Sequence, residues 1–169
     1  GYVSLVYGGG GESGFSDVPP AEVEAVWRNT FLAAFYPAQE AVRWMKEAGG
    51  GYVVFVSSIN SVLSLNEFAY GVTKGALNRI APDIATSCGK YGVYAVTLLP
   101  GTIGGTPSWV GKEAELERIA SEIPDGRVTD AREVAEWIAF LLSGGIKAVN
   151  GQEIRLDRGW SISKPGFKE

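Results

Sequence analysis

Tyr70 and Lys74 stand four residues apart, and a pair of serines, Ser57 and Ser58, precedes them by about a dozen positions. Residues at i and i+4 of a helix share a face, so the phenol and the ammonium can point into one site. The run Tyr52–Val56 ahead of the serines is β-branched and aromatic, the pattern of a buried strand. A serine at the carboxyl end of a parallel strand lies in the crevice where open α/β sheets bind ligands. Hydroxyl, phenol and ammonium gathered there form a proton-transfer apparatus. A free phenol titrates at about pH 10, and a neighbouring positive charge favours its ionised form. Such a set suits the transfer of a proton to or from a reacting oxygen. Taken alone, Tyr-x-x-x-Lys recurs by chance, and the two residues could be an aromatic and a solvated charge on a surface helix.

The elements that must position these groups alternate along the chain. Strand-like runs fall at Val3–Tyr7, Tyr52–Val56, Val93–Leu99 and Glu153–Leu156, and all but the last are almost continuously apolar, as in strands buried on both faces of a parallel sheet. Between them lie helical segments. Ala21–Ala48 follows Pro19-Pro20 and stops at Gly49–Gly51, with Pro37 inside predicting a kink. A second runs from about Phe68 to Cys88 around Pro82, and a third, Lys112–Ile123, is charged and amphipathic. The fourth, Ala131–Leu142, opens on a capping box of Asp130 and Glu133 and ends before Gly144-Gly145. Strands alternating with helices predict an α/β fold, and the 169 residues read as one domain without repeats or linkers.

Composition narrows the function classes. Hydrophobic residues make up 46% and charged residues 20%, as in ordinary soluble domains, and a net charge of −4 gives no electrostatic reason to recruit nucleic acid. The absence of histidine removes imidazole metal sites, Ser-His-Asp triads and any histidine base, and no metal site is expected. The single cysteine, Cys88, forms no internal disulfide, suits a cytoplasmic setting and reads first as a small buried hydrophobe. No apolar run reaches the ~20 residues of a membrane span.

Gly8-Gly9-Gly10-Gly11 admits two readings, a phosphate-cradling loop or a turn leaving a strand. A phosphate loop needs a helix immediately behind it, whereas Phe15-Ser16-Asp17-Val18-Pro19-Pro20 intervenes here, so the turn is the better reading.

The motifs also follow a definite order. Trp27-Arg28-Asn29-Thr30 precedes the serine strand, and Pro100-Gly101-Thr102-Ile103 closes the strand Val93–Leu99. Ile123-Pro124-Asp125-Gly126-Arg127, Arg132-Glu133-Val134-Ala135, Asn150-Gly151-Gln152 and Leu156-Asp157-Arg158-Gly159-Trp160 come after. In this order the chain resembles the short-chain dehydrogenase/reductase family, from the family's fourth strand to its C-terminus. The family's opening strand and TGxxxGxG turn do not precede Gly1, and Gly8–Gly11 stands where the family writes Asn-Asn-Ala-Gly. The resemblance implies a Rossmann-like parallel sheet, N-terminally truncated, with about four strands and flanking helices.

It also implies roles. Tyr70 is the general acid/base, Lys74 lowers its pKa and holds the nicotinamide ribose, and Ser58 hydrogen-bonds the substrate oxygen. Asn29 matches the helix asparagine of a proton relay, although a polar residue in a helix is more often solvent-facing. For NAD or NADP, with no preference between them, the contacts are Tyr70, Lys74, Pro100, Gly101, Thr102, Ile103, Thr106, Gly9 and Gly10. Thr106 and Thr102 compete for the carboxamide threonine. Trp109–Ile123 is a substrate lid or, equally, a connecting loop with a surface helix. Asp157-Arg158-Gly159 departs from the usual Asp-Gly-Gly.

The implied activity is an NAD(P)-dependent oxidoreductase acting on a small-molecule alcohol or carbonyl. The alternative is a remnant without catalysis that serves as a binding or assembly module. Relatives pair through the two long helices, whose apolar residues spread round more than one face, so a homodimer or homotetramer is expected. Tyr2–Tyr7 would lie at an open edge of the sheet, to be covered by another chain or by further residues of a longer protein.

Overall fold

A computed structural model of the chain describes residues 1–11, 13–144 and 146–163. Four parallel strands, β1 (Tyr2–Ser4), β2 (Gly51–Val56), β3 (Val93–Pro100) and β6 (Glu153–Leu156), pair in the order β1-β2-β3-β6. Helices cover both faces. On one side α2 (Ala33–Glu47) and α4 (Ile80–Cys88) pack Ala38, Val42, Ala81 and Ile84 onto Val53, Phe55, Val93 and Ala95. On the other, α6 (Ala131–Leu142) seats Leu141 against Tyr52, Val54, Val96 and Leu98. Alternate residues of β2 thus serve opposite faces, which is why the strand is apolar throughout. This three-layer α/β arrangement is the Rossmann-like architecture expected from the alternation of elements.

Several elements differ from their sequence-based bounds. The first strand ends at Ser4 rather than Tyr7, and Leu5 and Tyr7 are exposed. Beyond Ser4 the chain leaves the ladder because the Val6 carbonyl accepts from the Lys74 ammonium at 2.9 Å instead of from β2. The first long helix is continuous but mixed: α1 (Pro20–Val26), a π-helical turn (Trp27–Leu32), then α2. Its irregularity lies ahead of Pro37, whose ring crowds the preceding turn. The second long helix divides at Arg79 into α3 (Phe68–Asn78) and α4. Pro82 therefore sits in the first turn of α4, where a missing N–H costs nothing. The capping box on α6 forms as expected, with Asp130 accepting from Arg132 N and Glu133 accepting from Asp130 N at 2.9 Å.

A second, two-stranded sheet escapes sequence reasoning altogether. β4 (Ile103–Gly104) pairs in parallel with β5 (Thr129–Asp130), and α5 (Glu113–Glu122) lies between them in sequence. Strands of two residues carry no readable periodicity. This pairing ties both ends of the Trp109–Ile123 segment to the carboxyl end of β3.

Arg158 occupies the position that breaks the Asp-Gly-Gly pattern, at φ 54°. Its guanidinium bridges Asp125 and Glu133 and holds the Asp125 carboxyl below its usual range, while the Glu133 carboxyl is lowered first by the Asp130 N–H and then by Arg158. Beside it, the buried Asp157 carboxylate accepts from Gly159 N at 3.0 Å and Ser161 N at 2.9 Å. The left-handed backbone is thus retained without glycine, because the side chain spans the foot of the α5 segment and the start of α6.

Candidate active site

The carboxyl ends of β1, β2 and β3 open into a cleft of about 770 Å³. Ser58, Tyr70 and Lys74 line it together with Gly10, Pro100, Gly101, Thr102, Ile103 and Thr106. Nearly all residues singled out from sequence therefore meet in one place. Gly9 and Asn29 are not on its wall. Gly9 adopts φ 79°, a left-handed turn that carries the chain to Gly10. Asn29 lies in the π-helical turn with its side chain exposed.

Each of the two serines has its own task. Ser57 is buried and donates to the Lys74 carbonyl at 3.0 Å, which fixes α3 against the end of β2. Ser58 faces the cleft beside Tyr70, and its hydroxyl donates to Asn60 Oδ1 at 3.4 Å. The Ser58 side chain also accepts from Asn60 N at 3.2 Å, an ST-type turn that holds the hydroxyl at the strand end. The Asn60 amide in turn donates to the Glu67 carboxylate. Asn60 and Glu67 are functional candidates that sequence reasoning missed. The one signal was a polar residue two positions after the site serine.

Lys74 is 3% exposed, and its ammonium donates to the Val6 carbonyl at 2.9 Å and the Val56 carbonyl at 3.0 Å. Burial lowers its pKa to about 8. The ammonium lies 5.6 Å from the Tyr70 ring centre. The expected depression of the Tyr70 pKa does not appear: it is raised to about 12. Desolvation is the main cause, opposed by the Ser58 hydroxyl and reinforced by Glu67 and Tyr7. The reason is geometric. The ammonium turns to two backbone carbonyls, while the phenol is enclosed by protein and by the edge of Tyr7, whose ring centre is 5.6 Å away. Tyr70 is therefore a protonated acid at neutral pH.

The glycine loop fits between two elements. A Cβ on Gly8 would lie 2.9 Å from the Asn29 backbone and overlap Thr30 Oγ1, and one on Gly10 would lie 2.9 Å from Tyr70 Cβ. The Thr30 hydroxyl is fully buried and makes no hydrogen bond among the described residues. Glu22, near the start of α1, receives Gly11 N at 2.8 Å. No helix follows the loop directly, so the turn reading of Gly8–Gly11 stands. On the far side, Gly101 N bonds the Leu156 carbonyl at 3.0 Å and the Thr102 carbonyl accepts from Thr129 N at 3.0 Å. Thr102 and Thr106 both face the cleft, and Thr106 Oγ1 approaches the Ile103 carbonyl at 3.5 Å.

A flat ring could lie between Gly10 and the Pro100–Ile103 turn. The buried Lys74 ammonium lies beneath the Tyr70 end of that gap, 5.6 Å from the ring centre, and the glycine backbone leaves room on the other wall. The donors present thus fit the nicotinamide–ribose end of a dinucleotide. Strand ends, glycine loop and Ser-Tyr-Lys set meet at one end of the α/β sheet.

Comparison with known proteins agrees. The family model described as enoyl-(acyl carrier protein) reductase matches residues 5–161. A tropinone reductase homolog of Arabidopsis thaliana is 33% identical over 138 residues, covering 80% of this chain and 53% of that protein. The chain spans about half the length of the curated relatives it matches. Acetoin dehydrogenase from Enterobacter cloacae superposes with a TM-score of 0.85 at 26% identity, over 99% of this chain and 66% of that one. Gluconate 5-dehydrogenase from Burkholderia cenocepacia, solved with NADP and tartrate, gives 0.87 at 25%, over 96% and 64%. The chain belongs to the short-chain dehydrogenase/reductase family.

Proposed function

We propose that this chain carries the catalytic half of an NAD(P)-dependent oxidoreductase that interconverts a small alcohol and its carbonyl. The observation that supports it is the convergence of Ser58, Tyr70 and the buried Lys74 on one cleft at the strand ends. A nicotinamide cofactor, when bound, supplies or accepts the hydride. In reduction, the Ser58 and Tyr70 hydroxyls donate to the substrate oxygen and hold the carbonyl carbon near the Gly10–Ile103 gap. As charge grows on that oxygen, the Tyr70 proton moves to it, completing the alcohol. The phenolate left behind is stabilised by the Lys74 ammonium. In oxidation the same groups run in reverse, with Tyr70 as base. Asn29 acts through its helical turn, which borders the glycine loop, rather than through a side chain in the cleft. Residues 1–169 act as one domain in this reading. The experiment is spectrophotometric titration of the intact protein with NADH and NADPH, followed by reduction assays on small ketones. Saturable binding with ketone-dependent oxidation is expected, and absence of both rejects the proposal.

The same reading makes the protein a two-fold oligomer. An apolar groove of about 650 Å³ runs along α2 and α4, lined by Phe31, Phe35, Val42, Ile80 and Ile84. The stacked rings of Trp27, Phe31 and Phe35 continue it. Apolar surface of this kind is self-complementary when two copies pack antiparallel. Sedimentation equilibrium at micromolar concentration should give a dimer or tetramer, and a clean monomer would refute the pairing. Among the described residues no helix is long and apolar enough to cross a membrane.

A further inference from the structure

We propose that Arg158 is a positioning residue that sets where α5 rests over the cleft, and so governs how tightly substrate is held. This rests on the oxidoreductase reading above and adds a residue outside the cleft wall to it. α5 is lightly held. Ile119 is its single buried residue, and its own ion pair, Arg118 with Glu122, is largely exposed. Yet Glu115, Arg118, Ile119 and Glu122 all line the cleft. A helix with so little buried surface opens locally at low cost unless its ends are tied.

The ends are tied in two ways. Ahead of α5, β4 pairs with β5 through the backbone. Behind it, Asp125 follows the helix by three residues, and the Arg158 guanidinium joins that carboxylate to Glu133 in the first turn of α6. The bridge has a firm base. Asp157 accepts from Gly159 N and Ser161 N, and a Cβ on Gly159 would stand 3.6 Å from Pro124 Cγ. Trp160, two residues beyond Arg158, donates its N–H to the Asp157 carbonyl at 3.0 Å and lines the cleft. One side chain thus fixes the foot of α5 against the turn that carries Trp160, and the carbon frame of a substrate would lie between those two walls. Arg158 is held there against resistance. Its backbone sits at φ 54°, a left-handed conformation unfavourable to any residue with a Cβ, and its Nε is buried without a partner among the described residues. What opposes these two penalties is the pair of carboxylates it joins.

The test uses Arg158→Gly in the intact protein, because glycine adopts φ 54° freely and the turn survives. Amide hydrogen exchange read by mass spectrometry should show Glu113–Glu122 exchanging about fivefold faster, the combined worth of two partly exposed charge pairs. The amides of Val53–Val56, in the core, should be unchanged. With cyclohexanone and NADH or NADPH, KM should rise by about fivefold while kcat stays within about twofold, because binding is weakened and the reacting groups are untouched. Asp125→Asn cuts only the arm to α5 and should reproduce most of both changes, with nothing further gained when it is combined with Arg158→Gly. Arg127→Gln is the control: Arg127 pairs with the same carboxylate at 3.4 Å from within its own turn, and its loss should leave both readouts at wild type. Unchanged exchange in α5, faster exchange in α5 and core alike, or a fall in kcat at constant KM overturns the proposal. Faster exchange in α5 with KM unmoved overturns it too, since α5 would then move without consequence for the substrate. If the wild-type protein does not reduce cyclohexanone, the oxidoreductase reading is what suffers and the substrate half of the proposal falls with it, whereas exchange still decides whether Arg158 holds α5.

Discussion

Replacing Tyr70 by phenylalanine will lower kcat by about 10²–10⁴-fold while leaving the fold in place, the usual cost of removing a general acid/base. In the proposed mechanism the phenol oxygen donates to the substrate, and the ring alone fills the same space beside Tyr7 and Gly10. Because the Tyr70 pKa is raised to about 12, the wild-type phenol keeps its proton across the neutral range. Reduction should therefore hold a flat rate through neutral pH, and the residual rate of Tyr70→Phe should be equally flat there. Steady-state assays with circular dichroism as a folding control decide the matter. A kcat within a factor of a few of wild type would remove Tyr70 from the chemistry.

Lys74→Met is expected to weaken cofactor binding and turnover together, because the proposed mechanism assigns one ammonium to both the ribose site and the phenolate. The variant also separates two stability effects. It leaves the Val6 and Val56 carbonyls without their donor, a cost of about 1–3 kcal/mol for each buried acceptor left unpaired. Against that, it removes a buried charge. The sign of the pH dependence follows from the lowered pKa. The folded protein releases the Lys74 proton at about pH 8, while the unfolded chain holds it to the ordinary lysine value of 10.5. Between these values the unfolded state binds more protons, so this contribution to stability rises with pH, by roughly 3 kcal/mol in all. It is fully present above the unfolded value and lost as pH falls through the folded one. Denaturant titrations at pH 8 and pH 10 should show wild type gaining relative to Lys74→Met. A constant difference between the two proteins would show that burial does not burden the ammonium. Turnover that falls while cofactor affinity holds would remove the ribose role.

The catalytic core was legible because its parts obey short-range rules. Tyr70 and Lys74 share a face by helical spacing, and Ser58 ends a strand whose apolar run leaves no doubt of its burial. Of the two serines, Ser57 donates to the Lys74 carbonyl of the helix, whereas Ser58 donates within its own loop at the cleft. What stayed hidden depends on contacts between distant segments. The electrostatics of Tyr70 are decided by how deeply the loop after β1 and the segment from Ser58 to Glu67 enclose it, and no spacing rule reports enclosure. Asn60 reaches Glu67 only because that loop folds back on itself. Pro37 and Pro82 announced irregular helices, yet the irregularities fall at the π-helical turn and at Arg79, where packing relieves the proline rings. Arg158 looked like a lost glycine and is a bridge.

The π-helical turn also sets the phase of the whole first helix. Val26, Thr30, Ala34, Ala38 and Val42 are all buried, each four residues after the last. In a regular α-helix every such step overshoots a full revolution by about 40°, so a stripe of this length would wind most of the way to the opposite side. The wider turn at Trp27–Leu32 takes up part of that rotation and keeps the stripe on the protein. The length of this segment is thus as constrained as its composition. Losing one residue from Trp27–Leu32 would return the helix to ordinary pitch and swing its amino-terminal end by about 100°. Val26 would leave the core, and Glu22 would be carried away from the glycine loop it anchors. Substitutions on the exposed face are tolerable there, whereas insertions and deletions are not.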